Sequence, residues 1–294
     1  MPVAGPGASR FPSAPLLFFD TLWLQVTGTL CNLRCAHCFI SCAPDNHSHE
    51  MMSLPDVRRH VADAVRLGAR EYYFTGGEPF LHRDLPAMIE ETLRVGPVSV
   101  LTNGLFLDTG ICAALRRLAD GSDYSLDIRV SVDGWGPEDN DPIRGAGTFR
   151  RALDGVLRLH AVGINPVITV TEAAAGVETR EGRLRFLARL EEMGLDRPRL
   201  KILPLWRIGA EACRTAGYAP NELLSDDRVT QEGLEKLQCA SGRMVTSRGV
   251  YVCPLLIDAP TARMGSTLEE TLRPFALSHG ACVTCYVSGV TCRT

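Results

Sequence analysis

Short strand-like runs alternate with helical segments from residue 22 to residue 205. The runs are rich in β-branched and aromatic residues and mostly end in turn residues. They predict six strands, at 22–29, 71–77, 98–104, 125–134, 166–172 and 199–205. Such alternation favours parallel strands joined by right-handed crossovers, closed or partly closed into a barrel. In folds of this kind, chemistry takes place at the C-terminal ends of the strands.

The segments between these runs place Leu, Val or Ala at helical spacing and turn a charged face outward. The first helix is predicted over 53–68, with Ser53 as its N-cap, Pro55 in its first turn and Gly68 as its C-terminal stop. Four further helices are predicted at 84–96, 108–120, 147–163 and 181–194. After residue 205 the alternation ends. We therefore divide the chain into an N-terminal arm (1–20), a barrel (21–206) and a separate small cysteine-rich unit (207–294).

Composition excludes several classes of protein. The 294 residues, 45% of them hydrophobic, suffice for one large domain with a small appendage. A net charge of −3 gives no sign of a nucleic-acid partner, and no apolar run of about 20 residues predicts a membrane span. The N-terminal stretch lacks the features of a secretory signal, so we expect a cytoplasmic protein. In that reducing compartment, the 11 cysteines are expected to bind metal or act in catalysis.

Three cysteines, Cys31, Cys35 and Cys38, follow the first predicted strand directly. A structural zinc site needs four ligands, and no fourth cysteine or histidine stands at finger spacing. Zinc stays an alternative because His37 and Cys42 are close in the sequence. Three thiolates can instead hold three corners of a cubane iron–sulfur cluster, which leaves one iron open for a small molecule.

The pattern C-x3-C-x2-C after the first strand of a βα barrel resembles the radical SAM superfamily. The resemblance extends over most of the chain and implies a partial (βα)6 TIM-like barrel. It also implies a [4Fe–4S] cluster with three cysteine ligands, S-adenosylmethionine (SAM) on the open iron, and an electron donor such as flavodoxin or ferredoxin. Reduction would cleave SAM to methionine and a 5′-deoxyadenosyl radical, which removes a hydrogen atom from a substrate carbon. By resemblance His37 packs near the adenine; the alternative is an exposed loop histidine.

The second predicted strand ends in the sequence TGGEP, which contains Gly76, Gly77 and Glu78. Two glycines let the backbone approach a ligand closely, and a glutamate can accept hydrogen bonds from an ammonium group. Placed one βα unit after the cysteines, this stretch matches the family motif that binds the amino group of the methionine. The resemblance therefore implies that role for Gly76, Gly77 and Glu78.

Two later segments also resemble SAM-binding elements. SVDG (131–134) and PIRGAGTF (142–149) are similar to the segments that contact the ribose and the methionine carboxylate, with Ser131 and Arg144 as the predicted contacts. Asn103 ends the third predicted strand and is expected at the mouth of the barrel. An Asn-Gly turn without a ligand is the alternative for Asn103.

The cysteine-rich unit (207–294), which we call the tail, indicates a second metal site. It contains five cysteines, Cys239, Cys253, Cys282, Cys285 and Cys292. They provide four ligands for an auxiliary [4Fe–4S] cluster and one extra thiol. The first pair resembles the β-hairpin of the twitch and SPASM appendages, although three residues rather than four separate Gly249 from Cys253. The predicted ligands are Cys239, Cys253, Cys282 and Cys285. Cys292 in place of Cys253, or a zinc knuckle, is the alternative.

The fifth tail thiol, which a cluster with four ligands leaves free, affects which reaction is expected. A substrate radical can lose an electron to the auxiliary cluster, form a new bond, or take a hydrogen atom from the opposite face, as in epimerisation. The third route needs a thiol donor, for which Cys253 and Cys292, whichever is not a ligand, are the candidates, with Cys213 a further possibility. An inert buried cysteine is the alternative for each. Cys42 and Cys112 are expected to be structural.

The substrate is predicted only by class. Fewer than 25 residues precede the first strand, whereas peptide-modifying relatives often carry an extra N-terminal domain, and this favours a small molecule. The layout resembles that of radical SAM enzymes of aminoglycoside and aminocyclitol pathways. The acidic residues of 136–142 and Glu172 suit a polyamine-like sugar or form a solvated loop, and His47 and His49 are interpreted as exposed. We therefore predict epimerisation or dehydrogenation of an aminoglycoside-like sugar, with peptide maturation or a non-catalytic metal-binding scaffold as alternatives.

Overall fold

The computed structural model of the protein describes residues 11–174, 176–290 and 292. Residues 1–10, half of the predicted N-terminal arm, lie outside the described part. The strands of this part are β1 (Ser13–Ala14), β2 (Thr21–Gln25), β3 (Glu71–Thr75), β4 (Val98–Thr102), β5 (Leu126–Ser131), β6 (Val167–Thr171), β7 (Arg199–Leu203), β8 (Gly242–Thr246), β9 (Gly249–Tyr251), β10 (Arg263–Gly265) and β11 (Phe275–Ala276). Its α-helices are α1 (Leu54–Arg66), α2 (Leu85–Thr92), α3 (Thr109–Asp120), α4 (Pro137–Arg144), α5 (Thr148–Ala161), α6 (Arg180–Glu192), α7 (Ala210–Thr215), α8 (Gln231–Glu235) and α9 (Gly280–Ser288).

Nine strands form one sheet, in the order β10-β9-β8-β2-β3-β4-β5-β6-β7. The strands from β2 to β7 are parallel and adjacent in chain order, and each is joined to the next through at least one helix. They correspond to the six predicted strands. The α/β fold and its largely parallel sheet are therefore confirmed.

The predicted boundaries of α1 agree with the structure because local capping sets them, whereas α2, predicted over 84–96, ends at Thr92. The Ser53 side chain accepts a hydrogen bond from the Asp56 backbone N–H at the start of α1, and Pro55 lies in the first turn. Gly68 follows the end of the helix with a φ of +99°, a conformation that glycine adopts without steric cost.

Helix α4 was not predicted. Residues 136–142, interpreted as a solvated acidic loop, instead form most of this helix, with Pro137 at its N-terminus. The acidic side chains make local backbone contacts. Asp139 accepts a hydrogen bond from the Trp135 N–H, and Asp141 accepts hydrogen bonds from the N–H groups of Gly147 and Phe149. These hydrogen bonds hold the turn that leads into α5.

The sheet has two differently packed faces. In β2, Leu22 and Leu24 join the apolar core beneath the helices, whereas Trp23 joins a second core shared with the tail. The same alternation in β5 places Ile128 and Val130 on the helical side. We call the opposite face the inner face; its residues include Trp23, Gln25, Tyr73, Arg129, Ser131, Thr169, Lys201 and Leu203.

The tail extends this sheet. Strand β8 pairs in parallel with β2 and forms an antiparallel hairpin with β9, so the expected small unit (207–294) contributes three strands to the main sheet. Apolar tail residues such as Met244 and Leu277 pack in the second core with Trp23. Burial of side chains of this size contributes about 1.5–3 kcal/mol each. Among the described helices, none combines the length and apolar character of a membrane span.

Candidate functional site

The first cysteine cluster lies in the long loop after β2. Cys31 is buried, and Cys35 and Cys38 are half-buried. The Leu33 N–H is 3.4 Å from Cys31 Sγ, and the Cys42 N–H is 3.2 Å from Cys38 Sγ. All 11 cysteines are free thiols. Amides directed at sulfur favour the thiolate, which is the form that binds iron.

The electrostatics of these three thiols are mutually coupled. Burial raises the pKa of Cys31 to about 12 and also raises that of Cys35. A side-chain hydrogen bond with Cys42 lowers the pKa of Cys38 to about 6. Cys35 and Cys38 each raise the pKa of Cys31 further by charge repulsion.

The glycines of TGGEP bring the end of β3 against the cysteine loop. A Cβ atom on Gly77 would lie 2.0 Å from the Leu30 carbonyl oxygen and 2.8 Å from Cys31 Cβ. Gly76 has a φ of +156°, and a Cβ there would lie 2.0 Å from Thr27 Oγ1. Only glycine permits this approach between two backbones. The structure thus places two separately predicted motifs side by side.

Glu78 is completely buried next to these glycines. Its Oε1 accepts hydrogen bonds from Thr102 Oγ1 at 2.7 Å and the Phe80 N–H at 3.1 Å, and its Oε2 accepts one from the Asn103 N–H at 2.7 Å. Burial nevertheless raises the pKa of Glu78 to about 7. A cationic ligand would offset this desolvation. Thr102 was not identified from the sequence, because its role depends on the contact between β3 and β4.

Asn103 and Ser131 lie at the C-terminal ends of neighbouring strands. Asn103 Nδ2 donates a hydrogen bond to Asn32 Oδ1 at 2.8 Å and lies 3.9 Å from Cys31 Sγ. Asn103 is therefore beside the cysteine loop, as expected, and it also precedes a turn at Gly104, whose φ is +81°. Ser131 is half-buried at the last position of β5, on the inner face.

Asp133, just after β5, connects several of the predicted residues. Its Oδ2 accepts a hydrogen bond from Arg144 Nε at 2.6 Å and lies 2.6 Å from His37 Nε2. Its Oδ1 accepts bonds from the N–H and the hydroxyl of Thr171, each at 2.8 Å. Burial would raise the pKa of Asp133, but Arg144 and His37 together hold it well below its usual range. The sequence analysis missed this residue. Its position near the C-terminal end of a predicted strand was the available signal.

His37 is buried, so the alternative of an exposed loop histidine is wrong. In the described part of the chain its Nδ1 has no hydrogen-bond partner. Arg144 ends α4, and its guanidinium contacts both Asp133 and the Cys35 thiol. An unpartnered buried nitrogen and a buried cation beside three thiols fit a polar ligand with an anionic group.

The five tail cysteines line a single, largely apolar cavity of about 130 Å³. Cys239 precedes β8, Cys253 follows β9, Cys282 and Cys285 lie on α9, and Cys292 follows that helix. Burial raises the pKa of Cys239 to about 12 and that of Cys253 to about 11. Deprotonation by a bound metal would reverse this effect.

Cys253 raises the pKa of each of the other four thiols by charge repulsion, and Cys292 exerts the largest such effect on Cys285. Cys292 lines the cavity together with the other four cysteines. Its backbone carbonyl oxygen accepts a hydrogen bond from Arg129 Nη1, on the inner face of the sheet, at 2.6 Å. Burial raises the pKa of the Cys292 thiol to about 12, although the charges of Arg129 and Lys201 act to lower it.

Among the described residues, no group of three or more His, Cys, Asp or Glu side chains is arranged to hold a single metal ion. A single zinc ion requires its ligands around one point, about 2.0–2.3 Å away. A cubane cluster instead presents four separate irons, so three cysteines can hold it and leave one iron open for a small molecule.

The remaining candidates lie elsewhere. Cys213 is exposed on α7, whereas Cys112 is buried in α3 and Cys42 is buried near Cys38. His49, interpreted as exposed, is buried with its ring edge against Tyr251. Its position under the β8–β9 hairpin could not be inferred from local sequence.

Comparison with known proteins identifies a family and several similar proteins. Residues 26–190 match the profile of the family described as "Radical SAM superfamily". The GTP 3′,8-cyclase of Peptoclostridium acidaminophilum is 24% identical over 218 residues, which cover 71% of this chain and 62% of that protein. The chain thus spans less than two thirds of the length of this relative.

Two solved structures have a similar fold. Streptococcus suis SuiB bound to S-adenosylmethionine is 15% identical with a TM-score of 0.60, and the match covers 83% of this chain and 62% of SuiB. The protein anSMEcpe with bound AdoMet is 16% identical with a TM-score of 0.61, and the match covers 86% of this chain and 77% of that protein. At such low identity these likenesses show the fold alone.

Proposed function

This chain belongs to the radical SAM superfamily, and from that premise we propose that it epimerises or dehydrogenates a small polar metabolite held on the inner face of its sheet. When bound, the [4Fe–4S] cluster and SAM supply a 5′-deoxyadenosyl radical that removes a hydrogen atom from a substrate carbon. The protein determines where that radical forms and what the substrate radical meets next.

The residues around the first cysteine cluster divide the task of holding the cofactors. Cys31, Cys35 and Cys38 provide three iron ligands. Glu78 accepts hydrogen bonds from the ammonium of SAM, an assignment supported by its complete burial beside the two glycines. Arg144 pairs with the methionine carboxylate while Asp133 fixes its guanidinium. His37 has an unpartnered Nδ1 available to the adenosyl group.

The grouping of five thiols around one cavity is the observation that carries the proposal. Four ligands complete a cubane cluster, so one thiol remains. We assign Cys239, Cys253, Cys282 and Cys285, the set predicted from the sequence, as ligands of an auxiliary [4Fe–4S] cluster. Cys292, whose backbone carbonyl oxygen bonds to Arg129 of the inner face, is then the hydrogen-atom donor.

Epimerisation follows from this arrangement. The substrate C–H bond breaks towards the adenosyl radical, and the Cys292 S–H bond breaks to form a new C–H bond on the opposite face. The resulting thiyl radical regains a thiol by taking one electron, supplied by a flavodoxin or ferredoxin, and one proton. For dehydrogenation, an auxiliary cluster held by these cysteines would supply the acceptor for the second electron, with the proton leaving to solvent.

A nucleotide rearrangement is the second candidate function, and the 24% identity to a protein named GTP 3′,8-cyclase favours it. Maturation of a ribosomally made peptide and turnover of an aminoglycoside-like sugar stay predictions from the sequence. The acidic residues that suggested the sugar now have another role, since Asp139 and Asp141 bind backbone amides around α4.

The test is anaerobic reconstitution followed by turnover in deuterated water. We expect about eight irons per chain and cleavage of SAM to 5′-deoxyadenosine. With its substrate, an epimerase incorporates solvent deuterium at one inverted carbon, and a dehydrogenase gives a product about two mass units lighter. GTP tested in the same assay decides the nucleotide candidate. Bound zinc without SAM cleavage would indicate a non-catalytic scaffold and contradict the proposal.

A further inference from the structure

Arg129 is an unusual residue for the interior of a protein. It occupies the middle of β5 on the inner face and is 1% exposed. Nη1 donates a hydrogen bond to the Cys292 carbonyl oxygen, whereas Nε and Nη2 have no hydrogen-bond partner in the described part of the chain. A buried guanidinium with free donors is strongly destabilising unless a ligand satisfies them.

Lys201 adds a second cation to the same region. It lies on the inner face of β7 and is half-buried, and its pKa is lowered by burial and then by the charge of Arg129. The acidic residue nearest along β5, Asp127, accepts a hydrogen bond from Arg199 at 2.6 Å and so already has a cationic partner. Arg129 and Lys201 are therefore neighbouring cations, and the nearby carboxylate of Asp127 is already paired with another residue.

Other polar atoms of the inner face also lack partners. The Thr169 hydroxyl and both amide atoms of Gln25 are buried without a hydrogen bond in the described residues. Thr169 pairs in register with Lys201 on one side and with Ser131 on the other, so these three side chains form a row beside Arg129. Such a row can bind the hydroxyl groups of a polar compound.

We infer that Arg129 and Lys201 bind an anionic oxygen group, a carboxylate or a phosphate, of the substrate. The inference rests on the proposed function, because it assigns the substrate class of the same site. A compound whose only charged groups are amines would place like charges beside two desolvated cations. The geometry therefore favours an acidic substrate over the polyamine-like sugar predicted from the sequence.

The position of the cations fits this role. Arg129 and Asp133 are four residues apart, which corresponds to about 13 Å along an extended chain. Asp133 contacts Arg144 and His37 near the first cysteine cluster, and Arg129 contacts Cys292 at the second. An anionic group bound at Arg129 would thus lie beside Cys292 and about 13 Å along the strand from Asp133.

A different role for the two cations is to balance the charge of an auxiliary cluster. Calorimetric titration of anaerobically reconstituted protein separates the two roles, with GTP as phosphate probe, D-glucuronate as carboxylate probe and the amino sugar neamine as cationic probe. The variants are Arg129→Gln and the charge-conserving Arg129→Lys. The matched control is Arg199→Gln, an arginine of the same face that is paired with Asp127.

We expect the wild type to bind an anionic probe, Arg129→Gln to bind it about tenfold or more weakly, and Arg129→Lys to recover part of the affinity. Arg199→Gln should stay within about twofold. Binding of neamine alone, or of none of the probes, overturns the inference. Unchanged anion affinity in Arg129→Gln together with loss of about half of the iron also overturns it, in favour of charge balance. Cleavage of SAM without substrate is measured in parallel, since its absence in the wild type contradicts the proposed function instead.

Discussion

His37 Nε2 lies 2.6 Å from Asp133 Oδ2, although the two residues are 96 positions apart in the sequence. The same carboxylate oxygen accepts a hydrogen bond from Arg144 at the end of α4. One buried aspartate therefore fixes the cysteine loop, the C-terminal end of β5 and α4 relative to one another. This contact is the basis for the first prediction.

Replacement of Asp133 by Asn is expected to weaken SAM binding about tenfold or more. The substitution removes the charge that holds Arg144 and His37, and leaves a buried guanidinium without its partner. Loss of one member of a buried ion pair also lowers the free energy of unfolding by about 3–5 kcal/mol. Equilibrium dialysis with radiolabelled SAM and thermal unfolding measure the two effects. Asp127→Asn is the control, because that carboxylate lies at the start of the same strand and is partly exposed.

Replacement of Gly77 by Ala is expected to prevent assembly of the [4Fe–4S] cluster at Cys31, Cys35 and Cys38. The new methyl group would meet the Leu30 carbonyl oxygen at 2.0 Å, so the cysteine loop must move. Iron content should fall by about half, from about eight irons per chain to about four, and SAM cleavage should be lost. The control is Gly110→Ala in α3. Apart from the adjacent residues of the chain, the atom nearest to the new methyl group would be Asp108 Oδ1, at 3.4 Å. Full iron content in Gly77→Ala would refute the proposed contact.

The two candidate donors, Cys253 and Cys292, are expected to respond differently to serine substitution. Cys253→Ser should lose the auxiliary cluster, and with it about four irons, because it removes one of the four assigned ligands. Cys292→Ser should keep about eight irons and still form 5′-deoxyadenosine, but without return of a hydrogen atom to the substrate. Iron analysis, electron paramagnetic resonance and deuterium incorporation measure these outcomes. The opposite pattern of iron loss would exchange the two assignments.

Because Glu78 is buried, we expect the free energy of unfolding of the protein to depend on pH. Burial raises its pKa from 4.5 to about 7, so the folded state holds a proton that the unfolded chain releases. The stabilisation is complete below pH 4.5 and is lost as the pH rises through about 7, by an amount on the order of 3 kcal/mol. Denaturant unfolding of the reconstituted, SAM-free protein between pH 5 and pH 8 should show this slope. Glu78→Gln should lack it, and an equal slope in both proteins would contradict the assignment.

Local sequence was enough to predict the larger part of the fold. The periodicity of β2 to β7 and of the helices between them depends on which side chains face a core. That pattern is visible within short segments of the sequence. Glycine and cap positions such as Gly68 and Ser53 act within one turn of the chain. Helix α4 was missed because its acidic residues also suit a solvated loop, and only the contacts to the following turn distinguish the two.

The candidate site was predictable only in part. The spacing of Cys31, Cys35 and Cys38 and the TGGEP motif each lie within one short loop, so the sequence identified them. Asp133 and Thr102 were missed because each acquires its role from a neighbouring strand. The same applies to His49, whose burial depends on a hairpin about 200 residues further along the chain.

The sequence by itself determined the alternation of strands and helices, the cysteine spacings and the glycines, because these depend on backbone geometry and on nearest neighbours in the chain. Only the tertiary structure decided that five distant thiols share one cavity, that Asp133 joins His37 to Arg144, and that Arg129 and Lys201 face the same interior. The shared cavity depends on how the tail folds, and the other two relationships depend on contacts among the cysteine loop, α4 and strands β5 to β7. Long-range packing of this kind is a property of the folded chain, and no local pattern encodes it.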